Sequence, residues 1–353
     1  MSDNSSKAPA SKPVAKSVFQ AIRPAIRMLA RPQTLAQLPR LLSEGMGPVR
    51  RLFIQASNQK ELARLVRCGE QINFISSFAR SGNTWTRNLL ADALLQAQGF
   101  ETATDLPVPF EEVVPDYYCN SISRRNPALK MSGMLVKTHD SFETLCGRIM
   151  GSAEVEKPAE LFHRCKFLYL YRSPEDVLVS YFHLQRKVNY IEKSRFGIDE
   201  YCRSQLPHWM ANLESYLRAS DNGVNVFFVT YENMLQDPAG SLAGILRWLG
   251  FPHDARIVET AVEHMQFAKL RAREDRDRPG TSEYSLRRGG SGAALEELQP
   301  QTRCEIRETT ANLLKQANKR LSRQNSLFPP ASPKSASTNS VSPGKTDRLQ
   351  PAA

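Results

Sequence analysis

Four short apolar runs stand out along the chain: Ile72–Ser76 (INFIS), Met134–Thr138 (MLVKT), Lys166–Tyr171 (KFLYLY) and Asn225–Thr230 (NVFFVT). Each is too short for a helix, and its hydrophobicity is nearly continuous rather than alternating, which predicts strands buried on both faces. Between and after them the apolar positions recur at helical spacing. Trp85–Gln98 carries Leu89, Leu90, Ala93 and Leu94 on one face, and Pro174–Lys187, Pro207–Ala219, Ala239–Leu249, Asp254–Met265 and Gln301–Arg320 read the same way. Strands alternating with helices predict one α/β domain over 71–320, a parallel sheet flanked by helices on both faces.

The flanks have another texture. Residues 1–16 are rich in Ser, Lys, Pro and Ala, and 321–353 in Ser, Pro, Thr and Asn, so a disordered basic arm and a disordered tail are expected. Residues 17–70 form a basic amphipathic segment. Phe19, Ile22, Ile26, Leu29, Leu35, Leu38, Leu41 and Leu42 come at near-helical spacing, with Arg23, Arg27, Arg31 and Arg40 between them and Pro24 and Pro32 interrupting. Three readings stay open for 17–67: packing on the domain or a partner, contact with a membrane surface, or an organelle-targeting peptide.

Charge changes the picture less than its total suggests. The chain has 47 basic and 36 acidic residues, a net +11, but residues 1–70 carry +8, 320–353 carry +4 and 71–319 carry −1. The central domain is therefore near neutral, and no specific nucleic-acid partner is expected. No run reaches the ~18–20 apolar residues that cross a bilayer, and the polar start does not resemble a signal peptide, so a cytoplasmic location is expected. The six cysteines are scattered without metal-ligand spacing, which predicts small buried thiols and no metal.

Four segments carry chemistry. The first strand runs into Ser77-Phe-Ala-Arg80-Ser81-Gly82-Asn83-Thr84-Trp85 and then a helix. A strand, a tight Gly turn and a helix start aim backbone N–H groups and the helix dipole at one point, which suits phosphate. The Walker pattern is absent, since neither its first Gly nor its Lys is present; a plain capped turn is the alternative. Lys137 and His139 sit two residues apart at the carboxyl end of the second strand, where ligands of open α/β sheets bind; His139 is a candidate general base. Arg172 leaves the third strand, Pro174 opens the next helix and Ser180 follows within it. Late in the chain, Arg287-Arg288-Gly289-Gly290-Ser-Gly292 puts paired cations in a Gly-rich loop that can fold over a phosphate.

In this order the four segments resemble the sulfotransferases that use 3′-phosphoadenosine 5′-phosphosulfate, from Ile72 to Gly292. Ala79–Trp85 matches the family's first loop except for Ala79 in place of Pro. Lys137-Thr138-His139 matches its strand-end motif, Tyr171–His183 its most specific motif, and Tyr231–Met234 a later one. The closing motif is kept only through Gly292, because Ala293, Ala294 and Leu295 replace its Trp-Lys portion. The resemblance implies a P-loop-like fold and in-line sulfuryl transfer to a hydroxyl or amine, without a metal. In that scheme His139 takes the acceptor proton, and Lys137 and Arg80 stabilise charge around the sulfonate. The backbone of Ser81, Gly82, Asn83 and Thr84 cradles the 5′-phosphate. Arg172, Ser180, Arg287, Arg288 and Gly289 read the 3′-phosphate, and Trp85, Phe267 and Tyr231 meet the adenine, each of these three having a structural role as its alternative. Phe110, Tyr117, Tyr118, Tyr190 and Phe196 suit an apolar or ring-bearing small-molecule acceptor. Two other functions compete: a kinase-like phosphotransferase, disfavoured by the missing Walker Lys, and a non-catalytic protein that binds anions or membrane through its basic arms.

Overall fold

The computed structural model describes residues 47–100, 110–123, 130, 133–151, 158–187, 197–277 and 290–328. Four parallel strands form one sheet in the order β2-β1-β3-β4: β1 Asn73–Ser76, β2 Leu135–Thr138, β3 Lys166–Tyr171 and β4 Asn225–Thr230. These are the four apolar runs, with β1 and β2 one residue shorter at the start. The register puts Ser76 beside Thr138 and Tyr169, and Tyr171 beside Thr230, so the carboxyl ends lie close together.

The continuous hydrophobicity of the strands is explained by two cores. On one face Phe74, Val136, Phe167, Tyr169 and Phe228 pack against α1 (Gly47–Arg67), α4 (Phe142–Met150), α6 (Pro174–Lys187), α7 (Ile198–Asp221) and α13 (Pro300–Leu327). On the other, Ile75, Leu135, Leu168, Leu170, Phe227 and Val229 pack against α2 (Asn83–Ala97), α9 (Pro238–Leu249), α10 (Ala255–His264) and Leu270 of α11 (Phe267–Asp277). Adjacent strand residues point to opposite faces, so both must be apolar. The shorter helices are α3 (Phe110–Val113), α5 (Pro158–Leu161), α8 (Tyr231–Gln236) and α12 (Ala293–Glu297). No helix among the described residues is long and apolar enough to cross a membrane.

Several elements depart from expectation. α1 belongs to the domain: Leu62, Ala63, Leu65 and Val66 enter the core. The fully buried Asn58 fastens it, donating to the carbonyls of Tyr117 and Asn120 and accepting from the Ile122 amide, each at 2.8 Å. The second half of the basic segment thus packs on the sheet, and residues 17–46 lie outside the described residues. α7 begins at Ile198, with Pro207 inside the helix rather than at its start. Asp199 and Glu200 in the first turn favour the earlier start. α13 continues to Leu327, beyond 320. Its Gln324 donates to the Val226 carbonyl and accepts from the Phe228 amide, at 2.7 and 2.8 Å, along the outer side of β4. Among the cysteines, Cys146, Cys165 and Cys202 are buried but Cys68, Cys119 and Cys304 are exposed, so the expectation of buried thiols holds for half of them.

Candidate active site

Each strand hands the chain directly to a chemistry-bearing residue: β1 to Ser77, β2 to His139, β3 to Arg172 and β4 to Tyr231. A parallel sheet places all four at one edge, at the carboxyl ends where such folds bind ligands.

The loop after β1 owes its shape to two residues with positive φ. Arg80 sits at 74° and Gly82 at 101°, and a non-Gly residue there marks a loop held by its surroundings. Gly82 caps α2 with no side-chain hydrogen bond, so the helix N-terminus faces the loop with its own amides. Gly82 also lies against the Tyr231 ring, where a Cβ would come within 2.4 Å of Cδ2. Arg80 donates from Nε to Ser180 Oγ at 3.0 Å, bringing together two residues a hundred positions apart. The hydroxyl of fully buried Ser81 has no partner among the described residues, and Thr84 is exposed. Trp85 donates from its indole to the Met265 carbonyl at 3.0 Å and meets the Tyr231 ring edge-on at 6.0 Å. Its structural role is therefore present alongside any stacking role. Phe267 opens α11 with its ring 37% exposed, not in the core.

His139 is held by the first loop. Its Nδ1 lies 2.9 Å from the Ser77 carbonyl oxygen, which can only accept, so Nδ1 carries the proton and Nε2 keeps its lone pair. Burial, with Lys137 and Arg80 nearby, pushes the imidazole down to about 3, and it is neutral at physiological pH. Asn83 donates to Ser77 Oγ at 2.9 Å beneath it. Asn212 donates to the His139 carbonyl at 3.2 Å and accepts from the Tyr169 hydroxyl at 2.7 Å, tying the histidine backbone to the core.

Lys137 is engaged by a partner that sequence reasoning missed. Its ammonium pairs with Asp116, and the two residues also form a backbone bridge: Lys137 N–H donates to the Pro115 carbonyl at 2.8 Å and Tyr117 N–H to the Lys137 carbonyl at 2.9 Å. The ammonium holds the Asp116 carboxyl below its usual range despite burial. Next to His139, Asp140 accepts from the Tyr118 hydroxyl and faces Arg148 at 3.3 Å.

Arg172 is 8% exposed and lies over the Tyr231 ring at 4.5 Å. Its Nη2 donates to the Gly290 carbonyl at 2.8 Å and stands 3.5 Å from Asp176 Oδ2, while its Nε has no partner among the described residues. A buried guanidinium donor and a buried hydroxyl without partners among the described residues, beside a helix N-terminus, are what an anionic ligand would complete. Arg287, Arg288 and Gly289 lie outside the described residues, as do Tyr190 and Phe196.

Several known proteins are similar to this chain. Flavonol 3-sulfotransferase of Flaveria bidentis is 27% identical over 216 residues, covering 56% of this chain and 64% of that protein. Cytosolic sulfotransferase 7 of Arabidopsis thaliana is 27% identical over 195 residues, 50% of this chain and 56% of that protein. The matches thus span less than two thirds of the length of these relatives. The crystal structure of a mouse sulfotransferase complexed with PAP aligns at a TM-score of 0.49 with 19% identity, over 75% of this chain and 94% of that one. The profile of the sulfotransferase domain matches residues 71–318, which contain every strand of the sheet and the residues that follow each strand, and the chain belongs to the sulfotransferase domain family.

Proposed function

We propose that this protein transfers a sulfuryl group from 3′-phosphoadenosine 5′-phosphosulfate to the hydroxyl of a small acceptor, with His139 as general base. The observation that carries the reading is the convergence at one sheet edge of a neutral histidine whose Nε2 keeps its lone pair, an anion-seeking loop with the buried Ser81 hydroxyl, and the Arg172 Nε, the last two unmatched among the described residues.

Nε2 of His139 takes the acceptor proton as the acceptor oxygen attacks sulfur. The bond between sulfur and the 5′-phosphate oxygen breaks, and adenosine 3′,5′-bisphosphate leaves with the electron pair. Arg80 and the amides at the start of α2 stabilise the charge that grows on the departing phosphate. Lys137 adds to this once the donor draws its ammonium from Asp116. Arg172 and Ser180, with the Arg287–Gly289 loop, bind the 3′-phosphate that distinguishes this donor from ordinary nucleotides. The donor is polyanionic, so its binding offsets Lys137 and Arg80 and raises the basicity of His139 when a base is required. A ring-bearing hydroxyl acceptor suits the partly buried rings of Phe78, which follows Ser77, and of Tyr118, whose hydroxyl bonds Asp140 next to His139. The name of the Flaveria relative, a flavonol sulfotransferase, supports this class.

Calorimetric titration with adenosine 3′,5′-bisphosphate, against 5′-AMP and ATP, tests the donor site. Selective binding that weakens on Arg172→Ala is expected. Equal binding of all three nucleotides, or none, sinks the reading.

A further inference from the structure

Arg172 meets three groups: the Tyr231 ring below it, the Gly290 carbonyl at Nη2 and the Asp176 carboxylate one turn along α6. The carboxylate cannot follow the guanidinium if that moves. Its Oδ2 accepts from the Gly292 amide at 2.7 Å and its Oδ1 from the Ala294 amide at 3.0 Å, and Asp176 itself is 4% exposed. We propose that Asp176 is a positioning residue for donor selection: it holds the Arg172 guanidinium so that the unmatched Nε faces the 3′-phosphate. The inference rests on the donor reading above.

The physical case is one of preorganisation. An unconstrained arginine loses rotamer entropy when a ligand fixes it; here the protein has already fixed it, and the phosphate meets a planar donor in place. The same two amides tether residues 290–294 to α6, so the segment rejoining the fold after Gly289 is set by the same carboxylate.

A charge-only role and a positioning role predict opposite signs. If Asp176 merely contributed a negative charge near the site, its removal would tighten anion binding. If it positions Arg172, its removal weakens binding of the bisphosphate while leaving 5′-AMP, which has no 3′-phosphate, nearly unaffected. The test is calorimetry of the full-length protein with both nucleotides, for wild type, Asp176→Asn and Asp176→Glu. In both variants the ratio of affinities should fall about tenfold, the loss of one charge-assisted hydrogen bond. Asp176→Glu keeps the charge and shifts the carboxylate by one methylene, so it reads position even if Asp176→Asn folds poorly. In an Arg172→Ala background Asp176→Glu should change the ratio no further. A wild type that discriminates, with variants whose ratio is kept or increased, overturns the positioning role alone. A wild type that does not discriminate overturns the donor reading and this inference with it.

Discussion

Replacing Gly82 by Ala perturbs one atom at the point where the first loop, α2 and Tyr231 meet. The residue sits at φ 101° and ψ 7°, and a side chain in a left-handed conformation costs about 1–2 kcal/mol. The new Cβ would lie 2.4 and 2.8 Å from Cδ2 and Cε2 of Tyr231, a rigid ring 6% exposed with Arg172 over it. Forcing an extra methyl into such packing costs about 1–3 kcal/mol more. Together these give roughly 2–5 kcal/mol, and at about 2 °C per kcal/mol for a domain of this size a thermal melt should drop by roughly 4–10 °C. Calorimetry should also show weaker bisphosphate binding, because the displaced ring carries Arg172 with it. In a Tyr231→Ala background only the backbone share, about 1–2 kcal/mol, should remain. A Gly82→Ala protein that melts within 1 °C of wild type would refute the geometry on which this reasoning stands.

Other perturbations give separate checks. His139 has a folded-state pKa of about 3 against an ordinary 6.5, so the unfolded chain binds the proton first as pH falls. The resulting loss of stability begins near pH 6.5 and grows towards pH 3, and denaturant titrations should show a shallower acid limb in His139→Gln; an unchanged limb would contradict the depressed pKa. The same substitution should abolish turnover while leaving bisphosphate affinity within about threefold, since the base contributes to the transition state and not to donor binding. Asp116→Asn strands the Lys137 ammonium and should cost about 3–5 kcal/mol in urea unfolding, most of it recovered in Asp116→Asn with Lys137→Met; a single variant costing under 1 kcal/mol would show that the pair is not a buried one. Asn58→Ala removes three hydrogen bonds at a fully buried position and should cost at least about 3 kcal/mol, with faster amide exchange at Ile122; unaltered exchange there would mean that α1 is fastened elsewhere.

The strands were legible because burial on both faces forces a local, contiguous signal, and the site followed because parallel strands bring their carboxyl ends together. His139, Arg172, Ser180 and Tyr231 each fall at a strand end or on the following helix in the sequence pattern itself, and the Arg80–Ser180 contact joins two residues from separate segments. What could not be read was partnership across the chain. Asp116 is an unremarkable acid in Pro115-Asp116-Tyr117; only the backbone bridge to Lys137 makes it the ammonium's partner. Asp176 stands in the first turn of α6, where an acid is ordinary, and its bonds to Gly292 and Ala294 span more than a hundred residues. α1 was ambiguous for another reason, since a basic amphipathic face suits a membrane or a protein core equally and Asn58 carries no pattern of its own. α4 had a missed signal: Ser141 caps it, accepting from Thr144 N–H, ahead of Phe142, Leu145, Cys146 and Ile149.

The carboxamide of Gln324 touches the outer side of β4 as a neighbouring strand would, giving one donor and one acceptor to the backbone of Val226 and Phe228. An outermost strand with open amides is a template on which a second molecule can extend the sheet, and such extension seeds aggregates. One side chain on α13 therefore covers this margin of the sheet at Val226 and Phe228, while β2 forms the other margin. A variant with Gln324 changed to Leu would leave β4 an adhesive margin, and the first sign would be turbidity on concentration rather than any change in turnover.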